Sequence, residues 1–291
     1  MLVSRHKMIF LLPGLLVLVA IIIFPLLFTI RVSFSSWDVM NPGLDWIGGT
    51  NYARLFVDTR FWQSLMRLGG LAVGTVVIEY LLGFGLALLV WKEVRGRRFF
   101  RVLFLVPMMT TPVIMSVIWR TIFHESLGPL NQIIGALGLG QVPWLSTGGM
   151  AMVSVMIVEV WQWTPFMFLL LLAGLLSLPR EPFQAAAVDG AGPFRTFFMV
   201  TFPLMVPISI GTLIIRLIEA SKIMETVYVL TSGGPGTATE TSSYYIYIRG
   251  LRDFQIGYAA SLSVTYLVLM IIALTLLAKF LANTFIIKDK V

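Results

Sequence analysis

"FQAAAVDGAGPF", residues 183–194, is a short stretch of small residues in a chain that otherwise reads as lipid-soluble. Upstream, Pro179 and Pro182 stand where a first helical turn accepts proline. Phe183 to Val188 then reads as a short helix with an alanine-rich surface. Asp189-Gly190 ends it, because glycine takes a positive φ without steric cost. Gly192-Pro193 starts a second helix. Two short helices joined at a glycine make an L-shaped bracket, and a small-residue surface lets another protein approach closely. A tight connecting loop with no partner is the other reading of the same residues.

The rest of the chain decides the solvent. Of its 291 residues, 58% are hydrophobic and only 12% charged, whereas soluble domains sit near a quarter charged. Such a chain cannot cover its surface in water, so the solvent is a bilayer. A spanning helix takes about 20 mostly apolar residues. Six stretches qualify: 8–30, 68–91 with Glu79 inside, 102–123, 150–172 with Glu159 inside, 203–223 with Arg216 and Glu219 inside, and 258–278. The expected fold is all-α, a single polytopic transmembrane domain over 1–291 with the elbow in a loop at 177–203. The first run follows Arg5 and Lys7, as a signal peptide would. It is too long for a signal h-region and lacks a small-residue cleavage site, so it reads as a retained helix.

Orientation follows Lys and Arg. With the N-terminus inside, the inner segments hold twelve of them and the outer segments eight. "WKEVRGRRFFR" at 91–101 concentrates the inner set. Both termini and the elbow then lie in the cytoplasm. The net charge of +7 reports these loops rather than a nucleic-acid partner. The outer segments 31–67 and 124–149 are rich in Gly, Pro and Asn, which argues for irregular or interfacial structure. Trp37, Trp46 and Trp144 suit the interface. Cysteine is absent, and the two histidines, His6 and His124, stand far apart, so no metal-ligand cluster is visible.

Charges inside spans are costly and mark function by default. Glu159, Gln162 and Trp163 stand at i, i+3 and i+4, on one helix face, while Trp161 projects elsewhere on the same turn. Arg216, Glu219, Ala220 and Ile223 share another face by the same spacing. Glu159 lies roughly 14 Å into its span and Arg216 roughly 20 Å from the inner surface, at 1.5 Å per residue. The two polar faces therefore reach comparable depth. Aromatic faces that cover a sugar ring, with carboxylate, amide and guanidinium groups for its hydroxyls, suit a sugar or polyol. An ion pair of Arg216 with Glu159 or Glu219 that only locks helices is the competing reading. Glu79 reads as bonding a neighbouring helix, and Gly83 and Gly85 as a close helix approach.

"QAAAVDGAGPFRTFFMVTFP" resembles the EAA loop of ABC importer permeases, with Ala185, Ala186, Gly190 and Pro203 in register. "YVLTSGGPGTATETSSYYIYIRGLRDFQIGYAASLSV", 228–264, is similar to the segment joining spans five and six of carbohydrate-importing permeases. Its Leu-Thr-x-Gly-Gly-Pro run is characteristic of the first of their two permease subunits. "NYARLF" at 51–56 and "PFMFLLLLAGLLSLP" at 165–179 extend the likeness over nearly the whole chain. The chain resembles the maltose-permease-F type, most closely its shorter trehalose, polyol and glycerol-phosphate versions.

The resemblance implies a type I importer permease fold in the cell inner membrane. It implies a second permease subunit, a dimer of cytoplasmic ATP-binding subunits, an extracytoplasmic sugar-binding protein, and a carbohydrate or polyol cargo. ATP and Mg would sit on the partner ATPase and no cofactor in this chain; no Gly-x-x-x-x-Gly-Lys-Ser/Thr run occurs here. The elbow, through Phe183, Gln184, Ala185, Ala186, Asp189 and Gly190, would dock in a cleft of that ATPase and transmit force. Positions 159–163 and 216–223 would fall where the maltose type holds its sugar. Two departures stand out. Gln184 replaces the usual Glu, which removes a charge but keeps hydrogen bonding. Val200-Thr201-Phe202-Pro203 replaces Ile-x-Leu-Pro.

A secondary transporter or channel acting without an ATPase is the alternative class. No internal duplication of the kind many such transporters carry is visible, and a lone channel would not need the elbow. An intramembrane enzyme finds no support, since neither H-E-x-x-H nor G-x-S-x-G occurs.

Overall fold

The structure, a computed structural model, describes residues 2–40, 42–91 and 97–285. Part of the basic loop (Lys92, Arg95) and Lys288 and Lys290 lie outside the described residues, as do the side chains of Arg5, Lys7, Arg97, Arg98 and Arg101. Among the described residues no strand forms beyond a single bridge between Ser35 and Trp46.

Among the described residues, five helices are long and apolar enough to cross a membrane: Phe10–Ser33, Thr59–Trp91, Gly148–Ser177, Pro193–Ala220 and Ile256–Thr284. The Thr59–Trp91 helix has 33 residues and is roughly 50 Å long. That exceeds a hydrocarbon core of about 30 Å, so it tilts or projects past the core. Two of the five contain a π turn, Val19–Ile23 and Phe197–Thr201. In each, the next residue bonds back five positions, Phe24 N–H to the Val19 carbonyl and Phe202 N–H to the Phe197 carbonyl. In each, a proline, Pro25 or Pro203, stands two residues past the end of the turn. Proline has no N–H and crowds the carbonyl four residues back, and the wider turn is one way for the helix to run on through it.

The single helix expected over 102–123 is not what forms. The chain makes helix Arg97–Leu105, a 3-10 turn Pro107–Met109 and a shorter helix Pro112–Ile122. Thr110 and Thr111 between them are extended, with ψ of 142° and 143°. Pro107 and Pro112 each remove a helical donor, and Pro112 drives Thr111 out of the helical region.

Two compact units result, Met1–Gln63 with Tyr245–Met270, and Ser64–Tyr244 with Ile271–Val291. In the first, Asp58 is the knot. Its carboxylate accepts hydrogen bonds from the hydroxyls of Tyr245, at 2.6 Å, and Tyr258. It also accepts the backbone N–H groups of Arg60 and Phe61 at 3.1 and 3.2 Å. Leu55, Phe61, Tyr245, Tyr258 and Leu262 pack around it as a buried cluster. Asn51 closes the preceding loop by donating to the Ser33 and Ser35 carbonyls, both at 2.9 Å.

In the second unit, the Thr59–Trp91 and Gly148–Ser177 helices touch at Gly83. A Cβ there would lie 2.6 Å from Met167 Cβ and 2.9 Å from the Phe168 backbone nitrogen, so only glycine fits. A Cβ at Gly85 would meet no neighbouring atom within 4 Å, so this glycine marks no close approach.

Candidate transport site and coupling elbow

Arg216 is fully buried. Its guanidinium takes Glu79 in a two-bond fork, Nε to Oε2 at 2.7 Å and Nη2 to Oε1 at 2.9 Å. Nη2 also reaches Glu159 Oε2 at 3.3 Å. The other oxygen of Glu159 accepts the Thr226 hydroxyl. The Trp163 ring lies under the guanidinium, 4.7 Å from Cζ to centroid, close enough for a cation–π contact. Charged groups survive at membrane depth only when paired and hydrogen-bonded. Here one cation serves two carboxylates, drawn from the Thr59–Trp91, Gly148–Ser177 and Phe202–Ala220 helices. Thr226 adds the short Glu225–Leu230 helix.

The structure brings together Arg216, Glu159 and Trp163, as the helix-face argument expects. It does not bring Glu219 to Arg216. Glu219 pairs with Lys222 at 3.0 Å, with both side chains exposed. The principal partner is Glu79, which the sequence reads as bonding a neighbouring helix without saying which residue it meets; Thr226 gives no signal in the sequence.

Gln162 is buried and donates from Nε2 to the Thr110 carbonyl at 3.1 Å. It thereby satisfies a backbone group freed where the helix breaks before Pro112. Its Oε1 is a buried polar atom without a partner, an acceptor in need of a donor. Ala220 and Ile223 are buried, and the Ile223 carbonyl accepts the Thr241 hydroxyl at 2.9 Å. Trp161 faces another way, at 37% exposure. It packs against Trp119 at 5.8 Å between ring centroids and lines an apolar groove of about 690 Å³ with Leu82, Phe104 and Pro165.

The elbow forms as its residues dictate. The helix Glu181–Val188 carries Pro182 in its first turn and ends at Asp189. Gly190 follows with φ +68°. Ala191 N–H bonds the Ala186 carbonyl at 2.9 Å and Gly190 N–H the Ala187 carbonyl at 3.1 Å, the two bonds of a Schellman cap. Gly192 then leads into Pro193–Thr196. Phe183 meets the Trp91 ring at 5.5 Å between centroids. None of the residues of Glu181–Val188 is buried. Gln184, Ala185, Asp189 and Gly190 are exposed and Ala186 is half-buried. Val188, at the end of the capped helix, is 88% exposed, and Phe194, in the Pro193–Thr196 turn, is 82% exposed.

Apolar helices that bury a charge knot at mid-span, with a rigid elbow left uncovered between two of them, are the parts of a membrane transport permease. The chain belongs to the family described as the binding-protein-dependent transport system inner membrane component, whose sequence model matches residues 79–286. That match runs from Glu79 through the elbow to the last long helix. It is 36% identical to the trehalose/maltose transport system permease protein MalF of Thermococcus litoralis, over 89% of this chain and 88% of that one. It is 32% identical to the sulfoquinovosyl glycerol transport system permease protein SmoG of Agrobacterium fabrum, over 87% and 82%. It is 31% identical to the sn-glycerol-3-phosphate transport system permease protein UgpA of Escherichia coli, over 89% and 88%. Its fold matches a chain in the crystal structure of a bacterial ABC transporter involved in the import of the acidic polysaccharide alginate, with a TM-score of 0.84, 20% identity and 97% of each chain covered. The protein is thus an inner-membrane permease subunit of a binding-protein-dependent transporter, and transport rather than bond chemistry is its work.

Proposed function

We propose that this chain forms half of the translocation pathway of an ATP-driven importer of carbohydrates, polyols or their derivatives. A second permease subunit would complete the pathway, a pair of cytoplasmic ATPase subunits carrying ATP and Mg would drive it, and an extracytoplasmic binding protein would deliver cargo. The observation that carries this is the uncovered elbow. A helix of eight residues, capped at its end, with none of them buried, is built to be held by something outside the chain. The relatives named for trehalose/maltose, sulfoquinovosyl glycerol and glycerol phosphate support the cargo class. With both termini and the elbow in the cytoplasm, the elbow meets the ATPase.

Cargo recognition is assigned to the face around Gln162 and Trp163, with Ala220 and Ile223 as packing; Trp161, which lines the apolar groove, and Glu219, paired with Lys222, are left out of it. The unpaired Gln162 Oε1 would accept a cargo hydroxyl, and the Trp163 ring would cover a sugar face. Arg216 is held by Glu79 and Glu159, and Glu159 also by Thr226, so they shape this face and meet cargo only if the pairing opens. The test is uptake in proteoliposomes holding the assembled complex, with a panel of neutral and anionic sugars and polyols. ATP-dependent uptake of one of these is expected. Uptake that persists when ATP hydrolysis is abolished would overturn the proposal in favour of a transporter acting alone.

A further inference from the structure

The segment between Phe123 and Gly148 is a built platform with an uncovered apolar side. Its helix, Pro129–Ala136, is fixed from one face by Asn131, which is 4% exposed. Asn131 Nδ2 donates to the carbonyls of Glu125, at 2.8 Å, and Val142, at 2.9 Å. Its Oδ1 accepts Val142 N–H at 3.1 Å and Trp144 Nε1–H at 3.0 Å. Both donors and both acceptor positions of the amide are therefore used. Trp144 in turn packs on Phe123 at 5.2 Å between ring centroids. The opposite face carries Ile133 and Leu137, 59% and 71% exposed, with Leu139 at 63% just beyond the helix. Leu127, before the helix, is 74% exposed.

Soluble surfaces rarely leave such residues together unless something covers them. Two observations say what covers these. Residues 126–149 contain no Asp, Glu, Lys, Arg or His, whereas a protein-docking patch has a polar rim that sets register. Gln132 and Gln141 are the polar groups at the margin. The patch also follows directly on the Pro112–Ile122 helix, whose Val113, Ile114, Val117 and Ile118 are 47–54% exposed, a surface suited to lipid. A short helix, apolar on one side and uncharged on the other, with a tryptophan beside it, fits the boundary between lipid chains and water.

We infer that residues 127–140 are an interfacial anchor that lies on the membrane surface, with Ile133, Leu137 and Leu139 seated among the lipid chains and the Asn131 side turned to the protein. The anchor would fix the height of the 124–149 segment against the bilayer. It does not depend on the cargo or on the ATPase, so its failure would leave the transport proposal standing.

The absence of cysteine makes the test direct. Single variants Ile133→Cys, Leu137→Cys and, for comparison, Gln141→Cys are labelled with a nitroxide. They are placed in lipid nanodiscs within the assembled complex, other accessible thiols having been removed. Collision rates are then measured with oxygen, which concentrates in lipid, and with a water-soluble nickel chelate. The ratio of oxygen to nickel collisions should be several-fold higher at 133 and 137 than at 141. Ratios at 133 and 137 as low as that of a fully water-exposed label would place the face in water. Low collision with both reagents at 133 and 137 would place it in a protein interface. Either result overturns the anchor.

Discussion

Arg216 decides the character of the membrane interior, and the division of its bonds makes a prediction about which carboxylate matters more. Arg216→Ala leaves two buried carboxylates without their cation, a loss of about 3–5 kcal/mol for breaking a buried pair. Glu79 then has no remaining side-chain partner in the cluster, because both its oxygens face the guanidinium. Glu159 keeps the Thr226 hydroxyl. Adding Glu79→Ala to Arg216→Ala should therefore recover more thermal stability of the complex than adding Glu159→Ala. A larger recovery from Glu159→Ala would show that the 3.3 Å contact, not the fork, dominates. Uptake sorts the two roles: transport regained in the Arg216→Ala, Glu79→Ala pair would mark Arg216 as a helix lock rather than a cargo contact. A second residue-scale prediction concerns Gln184, whose side chain is exposed. Gln184→Glu and Gln184→Ala should leave the stability of the chain unchanged. In pull-down assays with the ATPase subunit, Gln184→Ala should weaken association by about 1 kcal/mol, one net hydrogen bond. Gln184→Glu should keep uptake within a few-fold, and its complete loss would show a partner cleft that excludes an anion. At this scale the sequence displays charges but not their pairing. Glu79, Glu159 and Arg216 all stand out as intramembrane charges and Gly83 as a close helix approach, yet which charge meets which depends on how three helices pack, which no spacing rule encodes.

Elements differ in legibility for a related reason. The elbow is written in Gly and Pro, whose backbone preferences act locally, and its cap forms where Gly190 stands. The 102–123 segment is equally apolar, and a hydropathy sum over it misses two missing N–H groups at Pro107 and Pro112. The break then needs a distant donor, Gln162, for the Thr110 carbonyl. A side chain that by its face alone reads as a cargo contact thus spends one end on backbone repair. The elbow gives a prediction that separates conformation from bulk. Gly190 has φ +68° and no neighbour of its own chain near a built Cβ. Any loss on substitution therefore comes from the left-handed backbone, about 1–2 kcal/mol for most L-residues, or from contact with the partner. Gly190→Asn, which tolerates that conformation, should keep most ATP-driven uptake. Gly190→Leu should lose it while still inserting in the membrane. Equal uptake by the two variants would remove the bend from the coupling mechanism, and normal uptake by Gly190→Leu would remove the elbow itself.

Across the whole molecule, one ionised group ties chain segments far apart in sequence. Asp58 accepts hydroxyls from Tyr245 and Tyr258, which lie 187 and 200 residues away. Nothing in the sequence around Asp58 announces this, since it lies within the 31–67 segment that reads only as irregular or interfacial. Arg249 supports the knot by donating to the Tyr245 hydroxyl at 2.9 Å and by pairing with Asp253 at 3.1 Å. Partial burial alone would raise the Asp58 carboxyl, but the two tyrosine hydroxyls, the Phe61 N–H and the Arg249 charge outweigh it and hold its pKa below the ordinary aspartate value. A carboxylate lowered on folding contributes stability that is fully present above the pKa of the unfolded chain. That contribution is lost as pH falls from the ordinary carboxylate range through the lowered pKa of the folded state. The unit containing Met1–Gln63 and Tyr245–Met270 should therefore loosen in strong acid and be insensitive to pH near neutrality. Asp58→Asn should lower its protection at neutral pH, by about 1.5–3 kcal/mol for hydrogen bonds to a charged group, and flatten the acid dependence. Amide hydrogen exchange in residues 50–63 and 245–258, measured for both proteins in nanodiscs as pH is lowered, reads this directly. An unchanged acid slope in Asp58→Asn would assign the titration to another carboxylate and leave the tyrosine pair as packing alone.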